Sequence, residues 1–125
     1  MEITRTREAE IYALLRIVTG FLFLWHGMQK LFGFPGEMPP GVPAFIIWVA
    51  GPLEFFGGIL VMIGLATRQV GFVLSGLMAF AYWMGHGFKA PLPFQNGGEL
   101  AVVYCFLFLF IGAHGSGIWS VDGGS

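Results

Sequence analysis

The chain has 125 residues, of which 56% are hydrophobic, 17% aromatic and only 10% charged, and its formal net charge is −1. A soluble domain carries about 25% charged residues, so this composition excludes a soluble globular domain. It indicates one integral membrane domain, residues 1–125. The near-neutral balance excludes nucleic acid as a partner. Cys105 stands alone, which excludes a disulfide or a CxxC redox pair within the chain.

Four apolar segments approach the length of about 20 residues that a membrane-spanning helix needs. The predicted spans are residues 12–32, 43–65, 70–86 and 99–113. Segments rich in Pro, Gly or polar residues separate them, which predicts an all-α, four-transmembrane-helix up-down bundle. The opening "MEITRTREAEIY" is too charged to span and makes a poor signal peptide, so we expect the first span to be retained.

The basic residues divide unevenly between the two ends of the predicted bundle. Arg5, Arg7, Arg16 and Arg68 fall at one end, and Lys30 and Lys89 fall at the other. The positive-inside rule therefore places both termini in the cytoplasm of a prokaryote, with a multi-pass fold in its plasma membrane.

The spans also contain polar residues, which are costly in hydrocarbon and usually face the interior of a bundle in pairs. At about 1.5 Å per helical residue, they form a deep group and a shallow group. The deep group is Arg16, His26 and Glu54, and the shallow group is Lys30, His86, Asn96 and Glu99. This arrangement predicts the ion pairs Arg16–Glu54 and Lys30–Glu99. An alternative is that such pairs only fix the register of the helices.

Proline and glycine add local expectations for the first two spans. Pro52 has no N–H and stands two residues before Glu54, so it should disturb the second helix beside that carboxylate. The seven-residue spacing of Gly20 with Gly27, and of Gly57 with Gly64, predicts close helix packing.

At these residues the chain resembles the DoxX family of small four-helix membrane proteins. The family pattern R-x3-G-x2-F-x2-HG-x2-K is matched from Arg16 to Lys30, and the "NGGE" opening of the fourth helix is matched by residues 96–99. The second-helix acid is similar to Glu54 and the third-helix His to His86. The resemblance covers residues 10–122 and implies an association with membrane quinone redox chemistry.

The expected function is therefore a quinone- or quinol-binding component of a membrane redox complex, an oxidoreductase subunit with quinone as its cofactor. His26, Glu54 and Glu99 are the candidate catalytic residues, and Arg16, Lys30, His86 and Asn96 are the candidate ligand-binding residues. A quinone needs an apolar slot, donors for its carbonyl oxygens and a route for protons, which these residues supply. Electrons would require a redox partner protein or a second quinone, and a homo-oligomer is compatible with the glycine faces.

Three alternatives stay open from the residues alone. One is a non-enzymatic membrane scaffold or small-molecule carrier, and another is a b-type haem held by His26 and His86. A metal site could draw on His26, Glu54, His86 and Glu99, but no tight ligand spacing indicates one.

Overall fold

The computed structural model describes residues 2–125, and all the regular elements in that range are helices. They are α1 (Glu2–Thr6), α2 (Glu8–Phe32), α3 (Ile46–Ile63), α4 (Thr67–Tyr82), α5 (Pro93–Asn96) and α6 (Glu99–His114). The prediction of an all-α fold is confirmed. Helices α2 and α3, of 25 and 18 residues, are long and apolar enough to cross a membrane. Each predicted span overlaps one long helix, and the crossing of a membrane by α4 and α6 stays a prediction.

Helices α2 and α3 run antiparallel and pack with their backbones nearly touching. A Cβ atom added at Gly20 would lie 2.5 Å from the carbonyl oxygen of Gly58, and one added at Gly27 would collide with the backbone of Phe55. The predicted role of Gly20 and Gly27 is therefore confirmed. Gly20 lies against Gly58 rather than Gly57, whose open side is filled by Leu74, and Gly27 lies against Gly51 and Phe55.

Helices α4 and α6 form a second close pair, joined at Gly71 and Gly112. A Cβ atom at Gly71 would lie 2.8 Å from the Cα atom of Gly112. Contacts within each pair are far more extensive than contacts between α3 and α4. The molecule is therefore two tightly packed helix pairs, and the space between the pairs is available for side chains and a cavity.

A core of aromatic and aliphatic side chains joins the two pairs. Phe23 of α2 packs edge-to-face against Tyr104 and Phe108 of α6, with ring centroids 4.9 and 4.7 Å apart. Edge-to-face pairs of this kind add about 0.5–1.5 kcal/mol beyond the burial of their area. Large apolar side chains also cover the outer surface of all four long helices. Leu22, Phe56, Phe72 and Phe106 are between 51% and 70% exposed, a surface suited to lipid rather than water.

Two segments depart from α-helical geometry at the same end of the molecule. Helix α3 opens with the π-helical turn Ile46–Ala50, and α4 continues into another, Trp83–Gly87. The first lies directly before Gly51 and Pro52, where the missing N–H of proline was expected to disturb the helix. The irregularity is therefore a widened turn that ends at Ala50, two residues before Pro52.

The C-terminal segment, residues 115–125, folds back over the opposite end of the bundle. The N–H of Val121 donates to the carbonyl of Ile63, and the N–H of Asp122 donates to that of Gly64. The Asp122 carboxylate then accepts hydrogen bonds from the backbone N–H groups of Ala66 and Thr67, each at 3.0 Å. Asp122 thereby caps the first turn of α4, where the helix presents unpaired N–H groups.

We expect this cap to make stability depend on pH in the acid range. Hydrogen bonds from the N–H groups of Thr67 and Ala66 hold the pKa of Asp122 below its ordinary value. Because the pKa is lower in the folded state, the stabilisation is complete above the unfolded value, about 3.9, and is lost as pH falls through the folded value. The melting temperature of the wild-type protein in detergent should therefore exceed that of Asp122→Asn at pH 6.

The difference between the two proteins should shrink as the pH is lowered below about 4. A constant difference between pH 6 and pH 3 would contradict the assignment of the cap to the ionised carboxylate.

Candidate functional site

A cavity of about 720 Å³ lies between the two helix pairs at the end that carries both π-helical turns. Its walls come from all four long helices and from the segment between α2 and α3, and most of the lining is apolar. Its polar lining side chains are His26, Lys30, Glu54, His86 and Tyr104. A volume of 300–1,000 Å³ with mostly apolar walls and a few convergent polar groups is typical of a small-molecule binding site.

The charged centre of the cavity is an ion pair between α2 and α3. The Nζ atom of Lys30 lies 2.8 Å from Oε1 of Glu54, and the two side chains are only 13% and 3% exposed. This pair joins a residue of the predicted shallow group to one of the deep group. The predicted pairs Arg16–Glu54 and Lys30–Glu99 are therefore wrong.

The direction of side chains along a helix explains the pairing. Every Cα–Cβ bond of an α-helix tilts towards the helix N-terminus, so side chains of antiparallel α2 and α3 lean in opposite directions. Lys30 leans into the bundle from the end of α2, and Glu54 leans towards it from α3. Arg16 leans in the same direction as Lys30, towards the N-terminus of α2, and this direction takes it away from Glu54. Depth calculated from Cα positions alone missed this tilt.

Arg16 is completely buried at the opposite end of the bundle and does not line the cavity. Its Nε donates to the carbonyl of Val61 at 3.0 Å, and one terminal nitrogen donates to that of Trp119 at 2.7 Å. The carbonyls of Met62, Ser116 and Ile118 accept further hydrogen bonds from the guanidinium. The charge therefore sits on the C-terminal end of α3, where helix carbonyls concentrate negative potential.

His26 lines the cavity and also lines a second, smaller pocket beside it. Its imidazole packs near the rings of Phe23 and Tyr104, at 6.1 and 5.8 Å between centroids. The same side chain lines a smaller pocket of about 300 Å³ beneath residues 35–36, beside Trp25 and Gln29. Within residues 2–125, neither ring nitrogen of His26 has a hydrogen-bond partner. The imidazole is therefore free to bond to a ligand on one side or to water on the other.

Tyr104 belongs to the site but was not found from the sequence. It lies in the apolar run "VVYCFLFLF" of α6, is 6% exposed and lines the cavity. No residue of the described chain accepts or donates a hydrogen bond at its hydroxyl, although buried tyrosine hydroxyls usually find a partner. The spacing of Tyr104 five residues after Glu99 carries no signal, and only the packing of α6 against α2 turns it into the cavity.

His86, Asn96 and Glu99 have three different positions. His86 lines the cavity, and its Nδ1 lies 3.1 Å from the backbone oxygen of Asn96. The Asn96 amide donates to the hydroxyl of Tyr82 at 2.8 Å and to the carbonyl of Ala90, so it is engaged within the loop and lies outside the cavity. Glu99 is exposed at the first position of α6 and does not reach Lys30. Neither Asn96, predicted to bind the ligand, nor Glu99, predicted to be catalytic, lines the cavity, and both roles stay predictions.

The residues considered for a metal site do not form a ligand cluster. In the part of the chain that the structure describes, no three His, Cys, Asp or Glu side chains come together as a metal site. The four residues considered for a metal are dispersed because Glu54 turns to Lys30 and Glu99 turns to the surface.

A lipid-compatible outer surface and a buried ion pair in an apolar cavity define the class of this protein: a helical membrane protein with an internal polar site. The profile of the DoxX family matches residues 11–87, and the chain belongs to that family. The motifs that resembled DoxX at the sequence level, from Arg16 to His86, lie within this match.

Three bacterial relatives align over most of the chain. A Haemophilus influenzae protein named "Uncharacterized protein" is 43% identical over 116 residues, which cover 88% of this chain and 87% of the relative. "Putative oxidoreductase CatD" of Bacillus subtilis is 34% identical over 113 residues, 87% of this chain and 82% of the relative. "Inner membrane protein YqjF" of Escherichia coli is 28% identical over 116 residues, which cover 86% of this chain and 85% of the relative. No solved structure matches.

Proposed function

We propose that this protein crosses the bacterial plasma membrane four times, with both termini in the cytoplasm. Helices α4 and α6 support this topology because each carries outward-facing large apolar side chains and pairs closely with the other through glycine. Helices α4 and α6 have 16 residues each, and the π-helical turn Trp83–Gly87 lengthens α4. The end that carries Arg5, Arg7 and Arg68 is the cytoplasmic end by the positive-inside rule, and the cavity then lies in the outer half of the bilayer.

In this cavity we place a quinone or quinol, bound as part of a membrane redox system. The observation that carries the proposal is that a buried Lys30–Glu54 pair and Tyr104, whose hydroxyl has no partner among the described residues, line the same apolar cavity of about 720 Å³. A quinone ring is flat and apolar with two carbonyl oxygens that accept hydrogen bonds, and it supplies two-electron chemistry coupled to protons when bound.

Lys30 and Tyr104 bind the ligand, and Glu54 and His26 transfer protons. Lys30 keeps two ammonium protons that are not used by Glu54, and Tyr104 keeps its hydroxyl proton, so both can donate to a ligand oxygen. The Glu54 carboxylate can hold a proton at Oε2, the oxygen that does not accept from Lys30. His26 lies between the cavity and the smaller outer pocket, a position suited to exchanging protons with the exterior.

The electron route requires another component. The chain has one cysteine and no nucleotide-binding motif, so electrons reach the site from a redox partner protein or from a second quinone. The name of the Bacillus subtilis relative, "Putative oxidoreductase CatD", agrees with a redox role for the family.

The test is to identify what the purified protein retains. Protein extracted from bacterial membranes into lipid nanodiscs should release a quinone on solvent extraction, detected by mass spectrometry in near-stoichiometric amount. Tyr104→Phe should weaken quinone retention by about tenfold, since a hydrogen bond in a buried site contributes about 1–1.5 kcal/mol.

Tyr82→Phe is the matched control for this experiment. Its hydroxyl is bonded to Asn96 outside the cavity, so the substitution should lower stability without changing quinone retention. Equal effects of Tyr82→Phe and Tyr104→Phe, or no quinone in the wild-type extract, would contradict the proposal. A Soret absorption band would instead support the haem alternative.

A further inference from the structure

The cavity has a mouth in the side of the bundle, between α3 and α4. Phe45 and Val49 at the start of α3, and Phe80 and Met84 at the end of α4, line the cavity and are also 45–59% exposed. The rings of Phe45 and Phe80 meet edge to face across this mouth, with centroids 6.4 Å apart, and close it in this structure. We refer to these four side chains as the lateral seam.

The packing of the helices explains why the mouth forms here. Helix α3 packs extensively on α2 but much less on α4. Deeper in the bundle the gap between α3 and α4 is filled where Leu74 lies against Gly57. On the other side of the cavity, Phe23 and Tyr104 fill the space between α2 and α6. Beside the cavity, the gap between α3 and α4 is therefore closed only by the ends of side chains.

Both π-helical turns flank this gap. Ile46–Ala50 contributes Val49, and Trp83–Gly87 contributes Met84 and Gly85, to the cavity wall. Single π-helical turns are rare and occur frequently at functional sites, where they displace side chains from regular positions. At Gly85 an added Cβ atom would meet nothing within 4 Å, so the wall has free space beside the seam.

We propose that the ligand enters the cavity sideways from the bilayer through the lateral seam and is a tailed amphiphile. Its polar head, with hydrogen-bond acceptors, reaches Lys30 and Glu54, while its hydrocarbon tail lies along the lateral seam in contact with lipid, and the rings of Phe45 and Phe80 part to admit it. This inference rests on the proposed function and narrows it to long-chain, membrane-dissolved quinones. A second set of exposed lining residues, which includes Pro39, Gly97 and Leu100, faces the loop end and offers the competing route from water.

A cysteine inside the cavity reports the route of entry. Ala101 lines the cavity, and Cys105 does not, so Ala101→Cys is placed in a Cys105→Ala background and reconstituted in phosphatidylcholine vesicles. A long-chain alkyl maleimide dissolved in the bilayer should label this cysteine at least about tenfold faster than a sulfonated maleimide added in water. Equal or faster labelling by the sulfonated reagent would overturn lateral entry.

Substitutions at the seam test where the alkyl reagent passes. Gly85→Phe should slow alkyl labelling by about tenfold. This is the change expected when the added ring displaces roughly two methylene groups of the alkyl reagent from apolar contact in the lateral seam. Phe45→Ala should accelerate it. Gly76→Phe is the matched control, because Gly76 is an exposed glycine of α4 with the same free space but no place in the cavity wall. Equal rates for Gly85→Phe and Gly76→Phe would overturn the seam as the entrance.

Quinones of different tail length separate this inference from the proposed function. Protection of the Ala101→Cys reporter by long-chain menaquinone, but not by tail-less 2,3-dimethyl-1,4-naphthoquinone at an equal membrane concentration, supports both; the second methyl group prevents the quinone from adding to the thiol. Equal protection by the two overturns the tailed ligand and keeps the quinone site. Protection by neither quinone, with alkyl labelling still slowed by Gly85→Phe, overturns the quinone site and keeps lateral entry.

Discussion

Replacing Lys30 by methionine is expected to lower the free energy of unfolding by about 3–5 kcal/mol, the cost of removing one partner from a buried ion pair. The Glu54 side chain is only 3% exposed, and its described polar partner is the ammonium of Lys30. Without that ammonium, a carboxylate is left in an apolar cavity or must take up a proton to fold. Unfolding by titration with sodium dodecyl sulfate in mixed micelles measures the loss.

The double variant K30M/E54M should recover most of this stability, because a buried ion pair can be replaced by apolar side chains at little net cost. Glu99→Gln is the control for loss of a carboxylate, and its exposed position predicts a change within about 0.5 kcal/mol. Additive effects of K30M and E54M in the double variant would contradict a direct pair.

The same double variant distinguishes the proposed function from the scaffold alternative. If the pair serves a ligand, K30M/E54M should regain stability but retain no quinone. If the pair contributes only to helix packing, the double variant should retain as much quinone as the wild-type protein. Recovery of quinone retention together with stability would therefore contradict the assignment of Lys30 and Glu54 to the site.

Replacing Arg16 by methionine is expected to lower the free energy of unfolding by about 2–6 kcal/mol, since the two buried carbonyl oxygens of Val61 and Ser116 lose their donor at about 1–3 kcal/mol each. The guanidinium joins the end of α3 to Ser116, Ile118 and Trp119 of the C-terminal segment. Its loss should therefore release that segment first. Limited proteolysis in detergent, read by mass spectrometry, should show cleavage after residue 115 in Arg16→Met and not in the wild-type protein.

Arg68 offers a matched control, because it also donates to backbone carbonyls, those of Gly112, Ala113 and His114, but from an exposed position. Arg68→Met should cost less than about 1 kcal/mol, since exposed charged groups remain solvated. Equal losses for the two arginines would contradict the role of burial. Loss of quinone retention in Arg16→Lys, with the C-terminal segment still protected, would return Arg16 to the ligand-binding residues.

Much of the site was accessible from the sequence because charge in an apolar run is costly. His26, Lys30 and Glu54 were identified from that cost alone, and all three line the cavity. Asn96 and Glu99 were grouped with them on depth, but Asn96 organises a loop and Glu99 faces outwards. The position of a residue along a helix can be calculated from the sequence, but the side of the bundle to which a loop brings the next helix cannot.

The partners of the charged residues and the role of Tyr104 required the tertiary structure. The tilt of side chains in two antiparallel helices joins Lys30 to Glu54 and sends Arg16 to the C-terminal segment. Tyr104 is one aromatic residue in an apolar run, and only the packing of α6 on α2 leaves its hydroxyl facing the cavity.

The sequence by itself determined that the chain is helical, apolar on its outside and polar at a few internal positions, because composition and period depend on local residue type. It also determined that Gly20 and Gly27 admit a close neighbour, since the absence of a side chain is a local property. Only the tertiary structure decided that Gly20 meets Gly58 and Gly27 meets Phe55, that two helix pairs enclose a cavity, and which charges meet in it. Those outcomes depend on contacts between distant residues, which no local pattern specifies.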